Sequence, residues 1–260
     1  MELNDKVAVI TGGSGGIGRA MAKAFLAEGA RAVVLADLDP AAVADAAADL
    51  GCEGHACDVT DEAQIANLVE STLSTHGPID LFCSNAGAGM EGVLLDATNE
   101  VWQAQWDLHV MSHLYAARAV VPSMVANGGG YLLNTASAAG LLAAIGSGPY
   151  TVSKAAAVKL AEFLAITHGD EGIRVSVLCP QGVNTAMAPQ GLGDGQTDGI
   201  IEADELAAVV VDCLREERFH VLPHPEVGEY IKRKADDPDR WLKGMRRLRN
   251  RAIELAGGGD

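Results

Sequence analysis

Two rhythms of hydrophobic and polar positions run through the chain. Short apolar runs rich in β-branched residues alternate with longer stretches in which apolar residues recur every three or four positions. The first pattern predicts buried strands and the second amphipathic helices. Strands are expected at 6–11, 32–36, 53–57, 79–83, 131–135, 173–178 and 219–222. Helices are expected at 20–28, 40–50, from a cap at Thr60 to about His76, at 98–127, 150–168 and about 238–256. Gly77-Pro78 stops one of them. Pro122 inside 98–127 predicts a bend or break around 107–112, or a stop near Val121. Regular alternation of strand and helix implies one α/β domain over 1–260, a doubly wound parallel sheet with helices on both faces. Such a sheet binds ligands at the carboxyl ends of its strands.

The first strand runs straight into Thr11-Gly12-Gly13-Ser14-Gly15-Gly16-Ile17-Gly18 and then a helix. Glycines let backbone approach a pyrophosphate, and the free N–H groups of the helix point at it. Gly13-x-Gly15-x-x-Gly18 fits the dinucleotide fingerprint. The second strand ends in Asp37, followed by Leu38, about 20 residues on, where a carboxylate accepts from the adenosine ribose hydroxyls. A ribose phosphate would be repelled there and no Arg or Lys compensates, so NAD is favoured over NADP. Gly12-x-Ser14-x-Gly16 also fits a hydrolase elbow, but too little chain precedes it for the required earlier strands. A P-loop fails because Arg19-Ala20 stands where Lys and Ser/Thr are needed.

Charge and cysteines narrow the class. The net charge is −16, yet nine of the nineteen basic residues fall within 232–251, leaving an acidic body that argues against nucleic acid. Five scattered cysteines suit reduced thiols in a cytoplasmic protein better than a disulfide framework. Cys52-x-x-His55-x-Cys57 matches no standard zinc spacing, so no metal is expected. With no leader and no apolar run long enough to span a bilayer, a soluble, unexported protein without membrane contact is expected.

Chemistry gathers at later strand ends. Tyr150 and Lys154 are one helical turn apart, and Ser137 follows the fifth strand. A phenol with a reference pKa near 10 exchanges protons poorly at neutral pH, and an adjacent ammonium should lower it. Ser137 then holds a substrate oxygen while Tyr150 exchanges its proton and a hydride passes to or from a nicotinamide, whose ribose Lys154 also reaches.

These motifs strongly resemble the short-chain dehydrogenase/reductase family in its single-domain form, over about 3–185. Thr11-Gly12-x-x-x-Gly16-Ile17-Gly18 resembles its cofactor turn, Asp58-Val59 its adenine contact, and Asn85-Ala86-Gly87 its Asn-Asn-Ala-Gly segment with Ser84 for the first Asn. Ser137, Tyr150 and Lys154 fall on its catalytic positions; Val183 and Thr185 fall in its Pro-Gly-x-Val-x-Thr segment, where Thr185 matches the residue that fixes the nicotinamide carboxamide. The resemblance implies a Rossmann-like sheet of about seven strands, a secondary alcohol or ketone substrate, and a homotetramer or homodimer. Two departures stand out. His109 replaces an Asn that helps hold a proton-relaying water, and Gln181 replaces a glycine. The His109 imidazole could donate a hydrogen bond, relay protons itself, or merely pack. The rival reading is a catalytically silent nucleotide-binding scaffold or sensor.

Ala88, Met90, Leu141, Leu142, Met187 and the glycine-rich stretch 186–203, read as a mobile substrate loop, form an apolar wall that suits a small hydrophobic alcohol or carbonyl compound. Trp241, Met245, Leu248, Ala252 and Leu255 form one stripe on a basic amphipathic helix, expected to dock on the acidic body or on a neighbouring subunit.

Overall fold

The computed structural model describes residues 1–89, 94–186 and 198–257. Seven parallel strands form one sheet: β1 (Val7–Thr11), β2 (Ala32–Asp37), β3 (Glu53–Ala56), β4 (Leu81–Ser84), β5 (Gly130–Thr135), β6 (Ile173–Leu178) and β9 (His220–Val221), in the order β3-β2-β1-β4-β5-β6-β9. The chain builds outward from β1 to β3, then returns to the other side of β1 with β4. The crevice at that reversal lies beyond the carboxyl ends of β1 and β4. A two-residue ladder not evident in the sequence pairs β7 (Val183–Asn184) with β8 (Ile201–Glu202). It shows that 201–203, the end of the expected substrate loop, belongs to a strand and to the start of the following helix; 187–197 lie outside the described residues.

Period-two alternation sends the side chains of each strand to two cores. Val7, Val9, Val34, Phe82, Leu132 and Val175 meet helices α3 (Glu62–His76), α5 (Ser112–Ala126) and α7 (Gly148–His168) on one face. Ala8, Ile10, Leu35, Leu81 and Leu133 meet α1 (Gly16–Ala27), α2 (Pro40–Leu50) and α8 (Ala203–Glu216) on the other. Helices on both faces explain why the strands are apolar throughout rather than alternating.

The α-helical pattern of the long central helix breaks where expected. α4 (Asn99–Trp106) passes through a π turn at Asp107–Met111 into α5, and the Ser112 hydroxyl donates to the Leu108 carbonyl at 2.5 Å. Pro122 is accommodated within α5 without a stop. Asp61, not Thr60, caps α3, accepting from Ala63 and Gln64 N–H; Thr60 instead donates its hydroxyl and N–H to Asp58. Three helices are not among those expected: α6 (Ala138–Leu141), too short to show a periodicity, α8 (Ala203–Glu216), and α9 (Glu226–Asp236), which precedes α10 (Pro238–Gly257). No helix among the described residues is long and apolar enough to cross a membrane.

Candidate active site

The described residues singled out for cofactor binding and catalysis lie at the carboxyl edge of the sheet or in the helices packed beside it. Gly12, at φ +64, turns the chain out of β1, and a Cβ on it would lie 2.8 Å from the Ala86 Cα. A Cβ on Gly18 would lie 2.2 Å from the Gly12 carbonyl oxygen, so the turn closes against α1 only as glycine. α2 and α3 are capped by Asp39 and Asp61, whereas α1 starts after Gly15 with no side-chain cap and no acid in its first turn. Its first N–H groups and positive dipole end are left for an external anion, as a pyrophosphate requires.

Asp37 closes β2 beside this turn. One carboxylate oxygen accepts from Ser14 N–H (3.0 Å) and Ser14 Oγ (2.6 Å), the other from Leu38 N–H (2.8 Å), and the Leu38 side chain is 69% exposed next to it. The Thr185 methyl packs where a Gly16 Cβ would be, bringing the segment after Val183 to the turn; Ile17 packs into the second core. Val59 is buried and Asp58 closes its own turn. Asn85 ties three strand ends together. Its backbone N–H donates to Thr11 Oγ1, its amide to the Thr11 carbonyl, and its side-chain oxygen accepts from Thr135 Oγ1.

The Ser137 hydroxyl accepts from Ala139 N–H as the cap of α6, donates to the Pro180 carbonyl at 3.5 Å, and lies close enough to the Tyr150 phenol to lower its pKa against the effect of burial. Lys154, one turn along α7, is 3% exposed, donates to the Thr135 carbonyl at 3.0 Å, and places Nζ 5.7 Å from the Tyr150 ring centre. Desolvation governs both groups. Burial raises the Tyr150 phenol, opposed by the Ser137 hydrogen bond, and lowers the Lys154 ammonium to about 8. The expected acidification of the phenol by the ammonium is therefore not found: burial sets the direction, and it is the Ser137 hydroxyl, not Lys154, that opposes it.

His109 lies in the π turn, fully buried, with its ring edge-on to Tyr150 at 5.4 Å. Ser153 Oγ donates to the Tyr150 carbonyl (3.0 Å), so it must accept from His109 Nδ1–H (3.0 Å). Ala88 N–H donates to His109 Nε2 at 3.4 Å. The network therefore assigns the neutral Nδ1–H tautomer. Burial, and secondarily the charge of Lys154, hold the His109 pKa at about 2. Gly87 fills the gap between them, a Cβ there lying 3.4 Å from both His109 Nε2 and Lys154 Nζ.

His113, Asp198, His224 and Tyr230 carried no sequence signal. His113, one turn beyond His109, is 2% exposed with neither nitrogen partnered among the described residues; burial first, then Lys154, lowers its pKa to about 3. Cys179 lies beside Ser137, its thiol pushed up to about 12 by burial. Gln181 N–H donates to His224 Nδ1, and its side-chain amide donates to Asp198. Beyond Gln181 a cavity of about 550 Å³ opens, lined by Leu142, Ala143, Tyr230, Trp241 and Met245 among others. The apolar stripe of α10 thus faces a cavity rather than closing fully onto the body. Met90 and Met187, and the side chain of Leu255, lie outside the described residues.

Residues 6–193 match the family model described as short chain dehydrogenase. The chain is 32% identical over 250 residues to the 1-deoxy-11-beta-hydroxypentalenate dehydrogenase of Streptomyces exfoliatus, covering 91% of this chain and 90% of that one. It is 33% identical over 222 residues to the meso-2,3-butanediol dehydrogenase of Serratia marcescens, covering 81% and 87%. A crystal structure of a short chain dehydrogenase/reductase from Burkholderia phymatum in complex with NAD superimposes with a TM-score of 0.83 at 30% identity, covering 92% of this chain and 96% of that one.

Proposed function

Because the chain belongs to the short-chain dehydrogenase/reductase family, we propose that it interconverts a secondary alcohol and a ketone with Ser137, Tyr150 and Lys154 as its catalytic residues and NAD as its cofactor. One observation carries this reading: the hydroxyls of Ser137 and Tyr150 meet beside a buried Lys154, at the sheet edge that also bears the uncapped glycine turn. Gly12 to Gly18 would hold the pyrophosphate, Asp37 and Leu38 the adenosine, and Thr185 the nicotinamide carboxamide. When bound, NAD supplies the hydride acceptor. The chain's own groups handle the proton. Ser137 Oγ orients the substrate oxygen, Tyr150 Oη takes its proton in oxidation and returns it in reduction, and the buried Lys154 charge favours the phenolate while the proton is away. His109 acts as a positioning residue. Its neutral tautomer holds Ser153, and through it the Tyr150 carbonyl at the start of α7, and its low pKa speaks against a proton relay.

Purified protein with NAD and a panel of apolar secondary alcohols should generate reduced-nicotinamide absorbance. Tight NAD binding without turnover of any of them would favour the silent nucleotide sensor instead. Asp37 supports NAD over NADP, since a ribose phosphate would meet its carboxylate. Asp37→Ser should raise KM for NAD about tenfold, a loss of one charge-assisted hydrogen bond, and bring NADP within reach. An unchanged NAD to NADP preference would reject this role. Exposed Phe163 and Ile166 on α7, with Trp106 on α4, support assembly into a homodimer or homotetramer. Five unpaired cysteines, four of them buried, support a reducing cytoplasm.

A further inference from the structure

α9 carries none of the expected site residues, yet it grips both segments that flank the reacting groups. Val227, Tyr230 and Lys234 recur at intervals of three and four, so they share one face of it. Val227 is fully buried and turns that face to the body. The Tyr230 hydroxyl donates to Asp198, whose other oxygen accepts from Gln181 Nε2, both at 2.9 Å, which holds the segment after β6. Lys234 Nζ donates to the Leu141 and Leu142 carbonyls, at 2.7 and 3.1 Å, which holds the segment after β5.

The Lys234 tie bears on the chemistry because of what α6 is. It has four residues, and Ser137 is its cap. A single helical turn is not stable by itself in water. At its start α6 is held by Ala138 N–H on the Pro180 carbonyl (2.9 Å) and by Ala139 N–H on Ser137 Oγ (3.1 Å). Its flank is pressed on α7, where a Cβ on Gly140 would lie 2.5 Å from the Lys154 carbonyl oxygen. The last carbonyls of a helix find no partner within it. Here Lys234 meets them, from 93 and 92 residues further along the chain. Lys6, Lys23, Lys159 and Lys232 each take a carboxylate. Lys234 is directed to backbone instead, and Ser137 sits at one end of a short rod whose other end it clamps.

We propose that Lys234 is a positioning residue for the reaction: by clamping the far end of α6 it holds the Ser137 hydroxyl at the substrate oxygen and beside the Tyr150 phenol. This rests on the oxidoreductase reading above and adds a residue that touches none of the reacting groups. Hydrogen exchange read by mass spectrometry, on protein without NAD or alcohol, tests the clamp. Lys234→Met should speed exchange of the amides of 138–142 about tenfold, the loss of one charge-assisted hydrogen bond, with β1 and α1 within about twofold of the parent. Oxidation of apolar secondary alcohols, counted per NAD-binding site, tests the consequence. There kcat should fall about tenfold, since a displacement of about 1 Å far from the chemistry costs up to about 10²-fold, while KM for NAD stays within about twofold. The pH at which oxidation gains speed should also move upward, because Ser137 is what lowers the Tyr150 phenol. The titratable groups facing that phenol, Lys154, His109 and Cys179, are left in place by the change. Lys234→Arg keeps a cation for the two carbonyls and should restore most of both readouts; Lys234→Gln replaces the Met variant if that one does not fold. Unchanged exchange at α6, or fast exchange there with the parent's kcat and pH profile, would overturn the proposal, as would a loss of kcat that Lys234→Arg does not mend. Faster exchange confined to α6, in a protein whose parent form oxidises no alcohol, would leave the clamp standing and remove the oxidoreductase reading instead.

Discussion

Tyr150→Phe should lower kcat by about 10³-fold, within the usual range for loss of a general acid–base, while leaving NAD affinity within about twofold. The change deletes one oxygen and keeps the ring that meets His109 edge-on at 5.4 Å. Ser137 keeps its Ala139 N–H, so the cap of α6 survives. Only the proton carrier is removed, and with it the route from the substrate oxygen. Lys154→Met should be as severe for a different reason. It leaves the phenol in a buried setting that already raises its pKa, with no cation to favour the phenolate, and it orphans the Thr135 carbonyl. Single-turnover rates with a fixed alcohol separate the two. Tyr150→Phe should stay slow at every pH, whereas Lys154→Met should recover part of its rate as the medium becomes alkaline enough to ionise the phenol directly. A Tyr150→Phe variant within tenfold of the parent would remove Tyr150 from the reaction.

The parts legible in the sequence were those that local patterning controls. Apolar runs, most of them beside a glycine, located the central strands of the main sheet, and the fixed spacing of Tyr150 and Lys154 on α7 implied one shared face. The acidity of the phenol was a different matter. It depends on how much protein surrounds Tyr150, and burial at that spot comes from elements far apart in sequence, so the two-residue argument from Lys154 missed the larger effect. The Gln181–Asp198–Tyr230 connection was invisible for the same reason, since its members lie 17 and 32 residues apart and none belongs to a periodic pattern. α10 was found from its stripe, but the stripe alone could not distinguish a surface that closes onto the body from one that roofs a cavity. The cavity that Trp241, Met245 and Leu248 line makes that distinction in three dimensions.

Stability should fall steeply as the solution is acidified from about pH 6.5, and His113→Leu should make that fall shallower. His109 and His113 have folded pKa values held near 2 and 3, well below the 6.5 of an unfolded histidine. Between those limits the unfolded chain binds two protons that the folded chain refuses, so unfolding gains about 1.4 kcal/mol per pH unit for each histidine. Together they give about 3 kcal/mol per unit, which makes pH 5 a severe challenge for a domain of ordinary stability. The alkaline side is harder to read. Lys154, lowered to about 8, favours folding as pH rises, while the buried thiols, all raised, oppose it. The acid limb is clean by difference, because comparing parent with His113→Leu cancels the carboxylates and the net charge of −16. Urea titrations at half-unit steps from pH 7 to 5 should show the two stability curves diverging by about 1.4 kcal/mol per unit. His113→Leu should also be the more stable at pH 7, since it removes two unpartnered nitrogens from a fully buried site. His109→Leu should flatten the curve equally yet lose stability at pH 7, because Ser153 and Ala88 N–H then lose their partner. Parallel curves for parent and His113→Leu would mean that His113 takes up a proton in the folded protein, and the neutral buried pair beside Lys154 would have to be abandoned.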